Sequence, residues 1–300
     1  MNKEREKIRE TRRWVIKIGS TLITDNGCGL KHNLLDNWVN QISTLNDHGI
    51  EIVIVSSGAV AEGLTRLGWD KRPNVVHKLQ AAAAVGQMGL IQAYEVCFQK
   101  YNKRTAQVLL THDDITNRTR YLNARTSLNT LLQLGVIPIV NENDTIATSE
   151  IKYGDNDRLA SRVAQITDAD TLILLSDVDG LYTKNPKIYK DAKLIKKVND
   201  LKKDLKEINI KGINEYGSGG MQTKIEAAKI CQLAGCGMII ANGLYTNPIS
   251  RIIDKNYCTW FSSKVSKLDA RKKWIISSVA PKGSIIIDDG AKKALRSGKS

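Results

Sequence analysis

Ser218-Gly219-Gly220-Met221-Gln222-Thr223-Lys224 is the segment of this chain best suited to handling an anion. Two glycines let a backbone come close to a ligand, because no Cβ stands in the way. Residues 225–233 continue with helical apolar spacing, so the segment predicts a helix start. A helix start offers unpaired N–H groups and partial positive charge to an anion. Lys224 adds a full charge. Phosphate is the ligand that fits. An ordinary loop ahead of a surface helix, with a spare lysine, fits the same residues, and the rest of the chain has to decide.

The elements that must position such a site are legible from periodicity. Strands are predicted over 14–18, 51–57, 107–111, 136–140, 171–176 and 238–241. Helices are predicted over 33–47, 59–67, 75–101, 120–134, 158–166 and from Met221 onward. Continuous apolar strands separated by helices predict a mainly parallel sheet covered on both faces, a three-layer αβα sandwich of the α/β class. Ligands of such sheets collect beyond the carboxyl ends of the strands. The polar and glycine-rich segments fall at those ends: Lys17-Ile18-Gly19-Ser20-Thr21, Ser56-Ser57-Gly58-Ala59, Asn141-Glu142-Asn143-Asp144 and Ser176-Asp177. With the 218–224 segment, five pieces can converge on one edge. Residues 210–220 read as a flexible loop.

Composition narrows the classes of function. The chain has 300 residues, 42% hydrophobic and 25% charged, as expected of a soluble globular protein. No apolar run approaches the ~18 residues of a membrane span. The charged residues 1–13, with no hydrophobic stretch behind them, do not read as a secretory signal, so a cytoplasmic location is expected. Five scattered cysteines, without a C-x-x-C pair, predict reduced thiols. The four scattered histidines argue against a zinc site, and no protein metal ligand is expected. The net charge of +14 raises nucleic acid as a partner. Yet the excess is local: residues 181–211 hold ten lysines against four acids, and 264–300 hold ten basic residues against three acids. Solvated lysine-rich surface explains that pattern most simply.

The chain lacks the P-loop G-x-x-x-x-G-K-[ST], a G-x-G-x-x-G after the first strand, and the H-R-D and D-F-G of protein kinases. Its motifs are W-V-I-K-I-G-S-T at 14–21, I-V-I-V-S-S-G-A-V-A at 52–61, N-E-N-D at 141–144, E-I-K-Y-G-D-N-D at 150–157, S-D-V-D-G-L-Y-T at 176–183 and S-G-G-M-Q-T-K at 218–224. In order and spacing, over about residues 12–262, the chain resembles the amino acid kinase family in its glutamate 5-kinase branch. N-E-N-D followed by G-D-N-D is the specific part. It separates this branch from aspartokinase, acetylglutamate kinase and uridylate kinase.

The resemblance implies transfer of the ATP γ-phosphoryl group to the side-chain carboxylate of L-glutamate, opening proline synthesis. A carboxylate is already ionised at neutral pH, with a reference pKa of ~4.3, so no general base is needed. The resemblance assigns Lys17 and Lys224 to the transferring phosphoryl group, and Asp157 to holding both lysines. It assigns Ser57, Asp144 and Asn156 to glutamate. Asp144 accepts from the substrate ammonium, while Ser57 and Asn156 donate to carboxylate oxygens. Lys17, Ser176, Asp177, Ser218, Gly219, Gly220, Met221, Gln222, Thr223 and Lys224 are assigned to ATP, with Mg²⁺ carried on its phosphates. Serine stands at 176 and 218 where the family usually has threonine, which keeps the hydroxyl.

The implied domains are a kinase domain over 1–269 and, over 270–300, the start of a PUA-like module, a short β-rich stub too brief to complete that fold. Strand-like pieces are expected at 274–277 and 284–287. The resemblance also implies proline as feedback inhibitor at the glutamate pocket and a homodimer or homotetramer, with the apolar helix 75–101 as an interface. Two alternatives stay open: another small acceptor, and an RNA-binding role through the basic C-terminal part. An incomplete PUA makes the latter unfavourable.

Overall fold

The computed structural model describes residues 8, 10–25, 28–146, 156–186, 188–201, 203–204, 220–255, 257–263, 265 and 288–297. An eight-stranded sheet forms its centre, in the order β5-β6-β4-β1-β7-β9-β10-β8. The ranges are β1 Arg13–Ile18, β4 Glu51–Ser56, β5 Arg104–Leu110, β6 Val136–Glu142, β7 Thr171–Ser176, β8 Lys197–Val198, β9 Gly237–Asn242 and β10 Cys258–Phe261. The pairing is parallel except between β9 and β10. A small antiparallel ribbon, β2 Thr24–Asp25 with β3 Cys28–Leu30, lies apart from the sheet.

Each central strand is apolar on both faces because each face carries a layer of helices. Alternate residues therefore sort into two cores. Val15, Val53, Val55, Leu172, Leu174 and Ile240 face the helices Arg118–Gln133, Asn156–Ile166 and Gly220–Ala234. Trp14, Ile16, Ile54, Ile173, Leu175 and Ile239 face the helices His32–Asp47, Val76–Gln99 and Pro248–Lys255. Burying one such side chain contributes about 1.5–3 kcal/mol. Lys17 shares the parity of Val15, so it points toward the first helical layer, where Asp157 and Lys224 sit.

The expected three layers are present, and the central strands and helices fall within a few residues of their predicted bounds. Three sheet-related features escaped the sequence reading: the β2–β3 ribbon and the strands β8 and β10. They are two to four residues long, too short to show a period. Of the C-terminal stretch, 270–287 lies outside the described residues, including both expected strand-like pieces; Asp289–Arg296 is a helix. The loop 210–219 also lies outside them.

One helix crossing positions an edge of the site. Helix Ala59–Arg66 packs on helix Val76–Gln99 through paired glycines. A Cβ on Gly86 would stand 1.9 Å from the Ala59 carbonyl oxygen, and one on Gly63 would stand 1.7 Å from that of Ala82. Backbone cannot yield as a side chain tip can. Gly86→Ala is therefore expected to destabilise by at least about 3 kcal/mol, the upper part of the overpacking range. A lowered urea midpoint with unchanged m would register this loss; an unchanged midpoint would contradict it.

Candidate active site

Five strand ends meet at one edge of the sheet. β1 ends at Ile18 beside Ser56 of β4 and Leu175 of β7. Glu142 ends β6, and Ser176 ends β7 level with Asn242 of β9. At that edge the two lysines come together on one carboxylate. Lys17 Nζ lies 2.7 Å from Asp157 Oδ1, and Lys224 Nζ lies 2.8 Å from Oδ2. Thr223 Oγ1 also donates to Oδ2, at 3.0 Å. All three charged groups are buried, at 7%, 4% and 8% exposure for Lys17, Asp157 and Lys224.

Burial opposes the charge of Asp157. The adjacent Lys17 and Lys224 ammonium groups outweigh it and hold the carboxyl well below its ordinary range. Asp157 is therefore a fixed anion and cannot serve as a base near neutral pH. The lysines arrive from separate elements: Lys17 from β1, and Lys224 from the first turns of helix Gly220–Ala234, where the dipole adds to its charge. Arg158 Nε donates to Glu226 Oε2 at 2.7 Å and ties the Asp157 helix to the Lys224 helix.

A polar network fills the floor on the β4–β6 side. Gly58, with φ +107°, caps helix Ala59–Arg66 and turns the chain so that Ser57 faces the edge. Asn156 Nδ2 lies 2.9 Å from the Ser56 carbonyl oxygen, 2.8 Å from Ser57 Oγ and 3.1 Å from Asn141 Oδ1. Asn141 Nδ2 in turn donates to Gln87 Oε1 at 2.8 Å. The N–H groups of Asn156 are thus engaged inside the protein. Its Oδ1 is buried without a hydrogen-bond partner among the described residues. Ser57, accepting from Asn156, keeps its own O–H to donate. Asp144 is half-buried. Loss of hydration pushes its carboxyl up to about 6, against the pull of Arg72.

On the β7–β9 side Ser176 Oγ donates to Asp177 Oδ1 at 3.2 Å, and Asp177 is exposed. The loop beyond is pinned by Asp179, which accepts from Tyr182 Oη at 2.8 Å and from Asn242 Nδ2 at 3.2 Å. Gly220 opens its helix onto free space: a Cβ there would meet no atom within 4 Å. Met221 packs into the first core, while Gln222 is exposed and reaches Glu226. Ser218 and Gly219 lie outside the described residues.

The sequence reading missed Gln87 and the structural part of Asn141. The one available signal was a glutamine inside an otherwise apolar stretch, Ala81-Ala82-Ala83-Ala84-Val85-Gly86-Gln87. Among the described residues no group of three or more His, Cys, Asp or Glu could hold a metal, and no helix is long and apolar enough to cross a membrane. Cys97, Cys231 and Cys236 are buried free thiols.

This fold and this edge define the class: the amino acid kinase family model matches residues 12–242, and the chain belongs to that family. Within it the chain stands with the glutamate 5-kinases. It is 57% identical over 286 residues to the glutamate 5-kinase of Pelagibacter ubique (strain HTCC1062), covering 95% of this chain and 78% of that protein. It is 48% identical over 297 residues to that of Thioalkalivibrio sulfidiphilus (strain HL-EbGR7), covering 99% of this chain and 79% of that protein. Neither another acceptor nor an RNA-binding role is favoured. The fold is similar to the crystal structure of UMP kinase from Ureaplasma parvum, with a TM-score of 0.57, 17% identity, and coverage of 85% of this chain and 100% of that one.

Proposed function

We infer that this chain phosphorylates the side-chain carboxylate of L-glutamate with ATP, giving L-glutamyl 5-phosphate and ADP, the first step of proline biosynthesis. The Asp157 bridge between Lys17 and Lys224, in a member of the glutamate 5-kinase family, carries the reading.

The acceptor carboxylate attacks the γ-phosphorus, a new O–P bond forms, and the bond to the bridging oxygen of ADP breaks. No proton has to move. Catalysis is therefore placement and charge neutralisation. Lys17 and Lys224 stabilise the equatorial oxygens of the phosphoryl group in transfer. Asp157 holds both ammonium groups before substrate arrives, so little reorganisation is needed. Ser57 donates to the acceptor carboxylate, and Asp144 accepts from the α-ammonium. The start of helix Gly220–Ala234, with Ser176 and Asp177, borders the nucleotide. Both oxygens of Asp157 are occupied by ammonium groups, which leaves it unfit as a metal ligand. Mg²⁺ fits as a companion of ATP, neutralising phosphate charge from the phosphate side.

The same reading places the enzyme in the cytoplasm as a homodimer or homotetramer, lets proline compete at the glutamate pocket, and takes 270–300 as the start of a PUA-like module after a kinase domain over 1–269. A hydroxamate assay with ATP and glutamate tests the activity. Aspartate, N-acetylglutamate and UMP are the comparison acceptors, and preference for any of these over glutamate would overturn the reading.

Asp144 supplies a pH prediction. Its carboxylate holds the ammonium only when ionised, so KM for glutamate is expected to rise as pH falls through about 6, with kcat changing less. Asp144→Asn should raise KM and flatten this dependence; a persisting pH profile would assign it elsewhere. The sign for stability is the opposite of the usual carboxylate. The native state binds more protons than the unfolded state between the ordinary 3.8 and about 6, so this group's contribution falls as pH rises through that window.

A further inference from the structure

We propose that Gln87 is a positioning residue that locks the acceptor pocket's amides in the orientation the Ser56 carbonyl selects, and so makes the pocket selective for an acceptor carrying an α-ammonium group. The proposal rests on the glutamate reading above and adds a determinant of its specificity.

The polarity of the relay is set at the Ser56 end and matched at the Gln87 end, whose own Nε2 has no partner among the described residues. The Ser56 carbonyl oxygen can only accept, so the atom of Asn156 that meets it at 2.9 Å is the amide nitrogen. That nitrogen also meets Asn141 at 3.1 Å, so Asn141 must present its oxygen there. The Asn141 nitrogen then points the other way and needs an acceptor, which Gln87 Oε1 supplies at 2.8 Å. Each member is buried: Gln87 is 9% exposed, Asn141 1% and Asn156 6%. A reversed amide here would set donor against donor without water to relieve it, and low local dielectric makes such a mismatch costly.

The consequence lies at Asn156 Oδ1. With its nitrogen held inward, the side chain has only an acceptor left to offer, and that oxygen is buried with no partner among the described residues. An ammonium group satisfies it. A methylene or a second carboxylate does not. Asp144 supplies a second acceptor whose charge depends on pH, whereas the amide oxygen is always present. Gln87 touches no substrate in this arrangement and acts through Asn141. It stands on helix Val76–Gln99, one residue from the Gly86 crossing.

The experiment compares glutamate with glutarate, which lacks the α-ammonium, in the full chain. Gln87→Met removes the relay's last acceptor at similar volume, while Gln87→Glu keeps an acceptor at that place. In Gln87→Met, KM for glutamate should rise roughly tenfold, the size of one lost buried hydrogen bond. KM for ATP should stay unchanged, and the preference for glutamate over glutarate should shrink by a similar factor. Gln87→Glu should remain within about threefold of the parent, since its acceptor is retained. Unchanged glutamate KM and unchanged preference in a folded Gln87→Met would overturn the proposal. So would equal damage in both variants accompanied by a raised ATP KM, which marks a packing defect. If Gln87→Met does not fold, Gln87→Asn, which shortens the reach to Asn141, decides by the same two readouts. A parent chain that phosphorylates no glutamate would sink the functional reading itself, whereas an active parent with insensitive Gln87 variants would sink only the relay.

Discussion

Lys224→Ala is expected to lower kcat by about a hundredfold to a thousandfold, the loss found when one preorganised group is removed from a developing charge. The ammonium is buried at 8% exposure and fixed 2.8 Å from Asp157, so neither water nor a neighbouring side chain replaces it. Lys17→Ala should cost a similar factor from the other side. The double variant should cost less than the product of the two, because the groups act on one phosphoryl group. Lys224→Arg should not restore the rate. A planar guanidinium cannot put a compact point charge where a lysine stem ended. Steady-state hydroxamate formation measures all four variants. Undiminished turnover in Lys224→Ala would remove the residue from the catalytic machinery.

The second large effect is expected at Asp157. Asp157→Asn preserves shape but removes the carboxylate charge that sits between two buried ammonium groups. An amide can accept from one of them, and its NH₂ must face the other. Breaking a buried ion pair from one side costs about 3–5 kcal/mol, and here two cations share the carboxylate that is lost. Both stability and kcat should fall. The pH dependence separates this cause from a packing defect. The variant lacks the carboxyl, so its stability should not show the loss toward acid pH that the parent suffers as Asp157 takes up its proton. In the parent, the contribution of Asp157 is complete above the ordinary carboxylate value and is lost only as pH falls through the depressed native one. Thermal unfolding of both proteins across that range is the measurement. A variant as stable and active as the parent would mean that the bridge has no role.

Much of this architecture was legible because its signals are local. β1, β4 and β7 are apolar runs at a strand's natural length, and they lie between segments with helical spacing. The polar ends Ser56-Ser57-Gly58 and Asn141-Glu142-Asn143-Asp144 fell where a parallel sheet gathers ligands, and the structure brings them to one edge. The short strands β8 and β10 were not legible, since pairing with a neighbour defines them and their few residues carry no period. Gln87 was illegible for a related reason: in sequence it is one polar residue in an apolar helix, and its meaning lies in Asn141 across the core.

The sequence by itself determined which groups exist and at which ends of which elements they stand: two lysines, one aspartate, a serine turn and an asparagine-rich strand end. Backbone propensity and alternation act over a few residues, so they are written locally. Only the tertiary structure decided that Lys224 and Asp157, 67 positions apart, share a buried ion pair. It alone decided that Thr223 supports that carboxylate and that the Asn156 amide nitrogen is spent on Ser56, Ser57 and Asn141. Those outcomes depend on which donors and acceptors must be satisfied once water is excluded, and that is settled only when distant segments are packed together.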